Sequence, residues 1–267
     1  MADNKTIPGY RIFGPHGDLI EEYLREHEPK NPSVRSLEDA LVLENISCVD
    51  ADGNVFERYD HLEVGNDISR NSDGSQVNFT PYQAIVHCEE QGSFLPSFAL
   101  TCNILAVLSK SNDAEARRVL MQYRDKGNGI GYHAQNTVID WNRRMIVHYP
   151  LDRDFPTSGG NNDINKKREQ RAFSFVPEKF DNMALEDALK REHFAKYICN
   201  LTGLRDPAVL VEIGKFFGKP ARVWVPNNPE QATYTAAAWL GCNGINFYLK
   251  GNSYLNGSGA TRRVRER

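Results

Sequence analysis

Cys102, His133 and Asp140 follow one another in the order nucleophile, base, acid. Cys102 lies in Phe98-Ala99-Leu100-Thr101-Cys102, which reads as the opening of an apolar helix. A thiolate activated by a helix N-terminus and an imidazole attacks acyl carbons, so these three residue types could carry hydrolysis through a covalent intermediate. The placement argues against it. Cys102 falls about five residues into its helix, past the turn where the dipole field is strongest. A cysteine on an apolar helix ordinarily serves as a small core residue.

Other chemistries find even less. The five cysteines, Cys48, Cys88, Cys102, Cys199 and Cys242, are scattered and odd in number, with no metal-ligand or redox spacing. A reducing compartment, or a fold independent of disulfides, follows. The seven histidines, His16, His27, His61, His87, His133, His148 and His193, contain no helical i, i+4 pair. Asp152 and Asp154 could join a calcium site, but lone acidic pairs in loops are usually solvated. Gly127-Asn128-Gly129-Ile130-Gly131 follows a helix and opens none, which suits a helix C-cap better than a phosphate loop. No cofactor and no metal are therefore expected. Arg262, Arg263, Arg265 and Arg267 make a basic tail, but the net charge is −3, with 32 Lys and Arg against 35 Asp and Glu, so no nucleic-acid partner is expected. Neither a leader peptide nor an apolar run of about 18 residues is visible, and no membrane insertion is expected. Localisation stays unknown, with attachment to a cell surface or virion through a partner as the route outside a cell.

The elements that would position such residues alternate between strand and helix. Residues 9–14 read as a strand and 18–24 as a helix, and Ser36-Leu37-Glu38-Asp39 resembles a capping box for a brief helix to Leu43. Residues 46–49 and 55–59 flank a turn at 50–54 whose Asp52-Gly53 supplies positive φ, predicting a hairpin; residues 66–76 are polar and predict a loop. Thr80-Pro81 is a cap followed by a first-turn proline, opening a helix to Gln91. A more apolar helix follows over 97–109 and a third over 113–126. Residues 137–141 and 145–149 predict a second hairpin, residues 185–201 and 206–217 predict helices, and residues 221–225 a buried strand.

The last stretch, residues 237–267, changes character. Ala237-Ala238-Trp239-Leu240-Gly241-Cys242 is apolar; the run to Ala260 is then rich in Asn, Gly, Ser and Tyr, with Phe247, Leu249 and Leu255 spaced through it. This resembles the composition of an antibody paratope, where Tyr supplies rigid contact area and Asn, Ser and Gly adaptable hydrogen bonds. In a strand Phe247 and Leu249 share one face, leaving Asn246, Tyr248 and Lys250 on the other. Apolar anchors on both sides pin a run that would otherwise fray.

On these residues, and on the closing Val264-Arg265, the chain resembles the variable proteins of diversity-generating retroelements. Those proteins have a C-type lectin fold related to the formylglycine-generating enzymes. Gln91-Gly92-Ser93-Phe94-Leu95-Pro96-Ser97 is similar to the helix, Gly, Leu-Pro-Thr/Ser passage of the same group, although Phe98-Ala99-Leu100 stands where acidic and Trp residues are usual, and Thr261-Arg262-Arg263 precedes Val264 where a Gly is usual. The resemblance covers mainly residues 80–112 and 222–267. It implies adenine-directed rewriting of codons, which excludes Gln, Glu, Met, Trp and Lys from variable positions. Between Gly241 and Ala260 the one exception is Lys250, which must then be invariant. Formylglycine chemistry needs a cysteine pair near the C-terminal strand, where only Cys242 lies.

The expectation is a single α+β, C-type lectin-like domain over 1–267, with helices packed on a small twisted antiparallel sheet. It comprises an N-terminal strand, helix and hairpin part at 1–75, a lectin-like core at 76–267, an insertion at about 150–182, and a candidate variable region at 237–267. The implied function is non-enzymatic binding of a macromolecular ligand, a protein or surface receptor. The display positions would be Asn243, Gly244, Ile245, Asn246, Tyr248, Gly251, Asn252, Ser253, Tyr254, Asn256, Gly257 and Ser258. The scaffold anchors would be Trp239, Leu240, Phe247, Leu249, Leu255 and Val264. Tyr248 and Tyr254 are the expected affinity hot spots, replaceable without loss of stability. The competing readings are a papain-like cysteine hydrolase using Cys102 and His133, and a structural component of a viral particle.

Overall fold

Asp50 sets the first hairpin. Its Oδ1 accepts from the backbone N–H of Asp52 at 2.9 Å and of Asn54 at 2.8 Å, and Gly53 takes φ +87°. The computed structural model describes residues 31–124, 131–148, 171–177, 183–226, 228, 230–253, 255 and 257–267. The turn joins β2 (Ala40–Val49) to β3 (Val55–Gly65), and β1 (Ser33–Ser36) pairs outside β2. Within β2, Asn45 at φ +56° switches the alternation, so Leu41 and Leu43 before it and Ile46 and Cys48 after it all enter one core; Asn tolerates this left-handed region better than most side chains.

The brief helix expected from Ser36 is absent. Ser36 spends its hydroxyl on Asp113 at 2.8 Å instead of capping, and Leu41, Val42 and Leu43 are drawn into a strand buried on both faces. The expected helix starting at Thr80 is present as α1 (Pro81–Glu90), with Thr80 and Gln83 exchanging both bonds of a capping box. Leu95-Pro96 leads into α2 (Phe98–Lys110), which is buried along most of its length, and α3 (Ala114–Arg124) follows. The long helix expected over 185–201 is broken into α4 (Leu185–Ala188) and α5 (Glu192–Thr202), and α6 (Val209–Phe216) comes after them.

Two sheets hold these helices, in place of one small antiparallel sheet. The first has the order β1-β2-β3-β11, where β11 (Val264–Glu266) returns from the end of the sequence to lie antiparallel to β3, Val264 opposite Val64. The outer side of β11 is bridged to Phe94 through Val264, and Arg265 and Arg267 both reach Glu63, at 2.7 and 2.6 Å. The second has the order β6-β5-β4-β9-β10-β8-β7, built from β4 (Gly131–Asp140), β5 (Met145–His148), β6 (Ala172–Ser174), β7 (Met183–Ala184), β8 (Ala221–Trp224), β9 (Thr235–Cys242) and β10 (Phe247–Ser253). It is mixed: β8 pairs in parallel with one side of β10, and β9 lies antiparallel between the other side of β10 and β4.

The fold is thus α+β, with six helices among the described residues. Residues Pro32–Arg267 form one compact unit, and the expected single domain over 1–267 extends beyond it into residues outside the described set. The expected strand at 9–14 and helix at 18–24 lie outside the described residues, as do the 127–130 segment and the 150–182 insertion apart from residues 171–177.

Gly251 marks how tightly β10 is seated. A Cβ there would lie 2.4 Å from the Tyr197 hydroxyl and 2.7 Å from Ile139 Cδ1, and its carbonyl accepts from Trp141 Nε1 at 2.8 Å. Overpacking of a filled interior costs about 1–3 kcal/mol. Gly251→Ala is accordingly expected to lower unfolding free energy by that amount in urea titration, and an unchanged midpoint would show that β10 is loosely held.

Candidate functional site

β10 presents two faces, as alternation requires. Phe247 and Leu249 are fully buried in the main core, with Leu240 on β9 and Val223 on β8 beside them. On the other face register builds two rows across four strands. Tyr132, Gly241, Tyr248 and Arg222 form one; Ala134, Trp239, Lys250 and Trp224 form the next. Gly241 leaves a gap in the first row between the two tyrosines.

Lys250 occupies the centre of this face. Its Nζ lies 4.2 Å from the ring centre of Tyr132, 4.9 Å from Trp224 and 5.7 Å from Tyr248. Attraction to the negative ring faces holds the ammonium, at about 0.5–2 kcal/mol per favourable pair. Burial pulls its pKa below the usual lysine value, and among the described residues no carboxylate pairs with it. The result is a half-buried cation with three aromatic walls. The site therefore joins unspent positive charge to flat apolar area.

The β9–β10 turn projects beside it. Asn243 Oδ1 accepts from the N–H groups of Ile245 at 3.0 Å and Asn246 at 2.8 Å, its own N–H donates to the Asn246 carbonyl at 3.0 Å, and Lys219 Nζ donates to its carbonyl at 2.7 Å. This braced turn carries Ile245, which is 73% exposed, and Gly244, also exposed. Gly257 is half-buried and Ser258 exposed; they precede Ala260, whose N–H bonds the Tyr132 carbonyl at 2.8 Å. Since Tyr132 pairs with Gly241, both short segments reach the same end of the sheet.

Of the twelve expected display positions, Asn243, Gly244, Ile245, Gly257 and Ser258 are at least partly open to solvent. Tyr248, Asn246 and Gly251, expected on display, are instead buried. Tyr248 is 3% exposed because Trp224 packs against its ring and Asn246 Nδ2 donates to its hydroxyl at 2.9 Å; Asn246 is 7% exposed, and Gly251 faces Tyr197. Asn252 and Ser253 lie on β10, with their side chains outside the described residues, as are Tyr254 and Asn256 altogether. All six scaffold residues, Trp239, Leu240, Phe247, Leu249, Leu255 and Val264, are buried. Tyr132, Arg222 and Trp224 were not singled out from sequence, although Arg222 and Trp224 stand two apart on one strand and so share its outer face.

The hydrolase pair is not assembled. Cys102 is fully buried, and burial pushes its thiol well above the ordinary range. His133 is 3% exposed and stacks on Tyr123 at 4.2 Å; burial, then the Arg262 guanidinium, depress its pKa to about 3. Among the described residues its Nδ1 has no hydrogen-bond partner and its other engagement is with the Gln122 backbone, so it does not draw a proton from Cys102. His148 is likewise structural: Nδ1 meets Thr137 Oγ1 at 2.8 Å, Nε2 meets the Asn200 carbonyl at 2.9 Å, and burial lowers its pKa to about 4. Among the described residues no group of three His, Cys, Asp or Glu side chains gathers to hold a metal, and no helix is long and apolar enough to cross a membrane.

No family model matches the chain, and comparisons with curated proteins and with solved structures find no significant match.

Two outcomes follow from these placements. Tyr248→Ala, which empties a packed position, is expected to destabilise by about 3 kcal/mol, whereas Ile245→Ala should stay within about 0.5 kcal/mol; equal urea midpoints for the two would place Tyr248 on the open surface. Iodoacetamide at neutral pH should leave Cys102 unmodified in the native protein and label it in denaturant, and rapid native labelling would restore it as a nucleophile.

Proposed function

We propose that this protein is a non-enzymatic binder that displays a diversified surface on a C-type lectin scaffold, and that the diversity is written by a retroelement of the kind its C-terminal region resembles. The observation that carries the reading is the contrast within residues 239–264. Every scaffold position is buried, while Gly244, Ile245, Gly257 and Ser258 emerge at one end of the sheet beside the aromatic face that surrounds Lys250.

The physical logic is separation of tasks. Substitutions at exposed positions on a rigid support ordinarily change stability by less than about 0.5 kcal/mol, so identity there is free to answer to a ligand. The tyrosine and tryptophan rings around Lys250 supply contact area of low conformational entropy. Lys250, the one residue between Gly241 and Ala260 that the codon rule excludes from variation, has a fixed duty among those rings. Further support comes from the closing strand β11 and from the Leu95-Pro96 passage that joins α1 to α2.

The partner is a macromolecule, a protein or surface receptor. A nucleic-acid partner fits poorly, because three of the four arginines of the basic tail are already committed. Arg262 is buried against the Gly65 carbonyl and Gln122, and Arg265 and Arg267 are paired with Glu63.

Sequencing the DNA that flanks the gene provides the test. A near-copy of the segment encoding residues 237–267 should lie beside a reverse transcriptase, with mismatches confined to template adenines. Those mismatches should alter codons 244, 245, 257 and 258 while sparing 239, 240, 247, 249, 250 and 251. No such copy, or mismatches concentrated in the buried set, would defeat the diversification reading.

A further inference from the structure

A second site lies away from the display end. The end of β3, the 66–70 loop, α1, α3 and Arg263 enclose a cleft of about 530 Å3, within the range of small-ligand pockets. Its charges are unevenly satisfied. Arg118 is saturated, bonded to Glu115 at 2.7 Å, Asp67 at 3.0 Å and the Asn66 carbonyl at 3.1 Å. On the side formed by the β1–β2 turn, Glu38 and Asp39 have their backbone carbonyls taken by Asn66, but among the described residues their carboxylates meet no partner. On the side against α1, among the described residues, the Arg263 side chain reaches only Gln91 Oε1 at 3.4 Å and the Arg70 side chain only the Gly74 carbonyl at 2.9 Å.

Two further details prepare the cleft. Gly65 lets the Arg263 stem lie close, since a Cβ there would meet Arg263 Cγ at 3.1 Å. Asn66, 7% exposed, lines the cleft and has Oδ1 buried without a hydrogen-bond partner among the described residues. Such an acceptor lacks only a donor.

We propose that this cleft binds a short zwitterionic peptide. Its ammonium faces Glu38 and Asp39, its carboxylate faces Arg263 and Arg70, and one of its backbone N–H groups donates to Asn66 Oδ1. A ligand of single charge would satisfy one side and be repelled or left unpaired at the other. A free amino acid holds its two charges on one carbon and cannot serve both sides. A volume of this size spans roughly 8–10 Å, the reach of about three extended residues.

Calorimetric titration of the full chain with trialanine, N-acetyl-trialanine and trialanine amide tests this. Trialanine should bind saturably, and either capped form should bind at least about tenfold more weakly, the effect of losing one charge-assisted contact. Arg263→Gln should weaken trialanine to a similar degree while leaving the amide unaffected. Glu38→Gln with Asp39→Asn should weaken trialanine and leave the acetylated form unaffected. These side chains are at the surface, so unchanged circular dichroism and melting of the variants is expected. Absence of saturable binding, equal binding of the capped peptides, or indifference to both sets of substitutions would overturn the proposal. None of these outcomes bears on the display surface, which uses other strands.

Discussion

The buried N-terminus of α2 is the constraint around which the rest is arranged. A helix end leaves backbone N–H groups without intrahelical partners, and inside a protein each must find one. Ser97 Oγ accepts from Leu100, and the Phe98 N–H donates to Thr137 Oγ1 at 2.8 Å. Thr137 is available because β4 is irregular between Ala134 and Val138, where its pairing with β9 shifts register. The same hydroxyl meets His148 on β5, whose far nitrogen reaches Asn200 on α5. Ser97 also donates to the buried carboxylate of Glu57 on β3, which Tyr59 holds from the other side and whose pKa burial raises. One helix end therefore ties the two sheets and α5 together. β4, thus fixed, carries Tyr132 to the open end of the larger sheet.

The display surface inherits its order from that arrangement. β10 sits between β9 and β8 with one face in the core, so the opposite face offers positions at strand spacing with no freedom to slide. Rigidity reaches the turn at Asn243 through hydrogen bonds made by that residue and by Lys219, which leaves Ile245 exposed on a fixed support. An apolar side chain held this way presents its area with little entropy left to lose on contact.

What the sequence disclosed tracks how local the deciding forces are. The hairpin through Gly53, the capping box at Thr80 and the alternation of Phe247 with Leu249 are settled within a few residues, and each is legible. Ser36 departs from its local pattern because its partner, Asp113, lies far along the chain and competes with the local cap. Tyr248 falls on the face that alternation assigns to it, but its burial depends on Trp224 from another strand. Lys250 likewise stands out in composition, while the rings that surround it come from β4, β8 and β10. The cleft was invisible for the same reason: its residues are spread from Glu38 to Arg263, and no spacing links them.

The return of β11 also has a kinetic side. Val264 pairs with Val64 across most of the described chain, so the contact is among the most expensive to close in loop entropy and must form late. Until residues 264–266 arrive, β3 offers an unpaired edge, the form of strand that recruits other chains. Glu63, which finally receives Arg265 and Arg267, meanwhile places a charge on that edge. The residue that fastens β11 in the native fold is thus also the one that charges the edge of β3 when β11 is away.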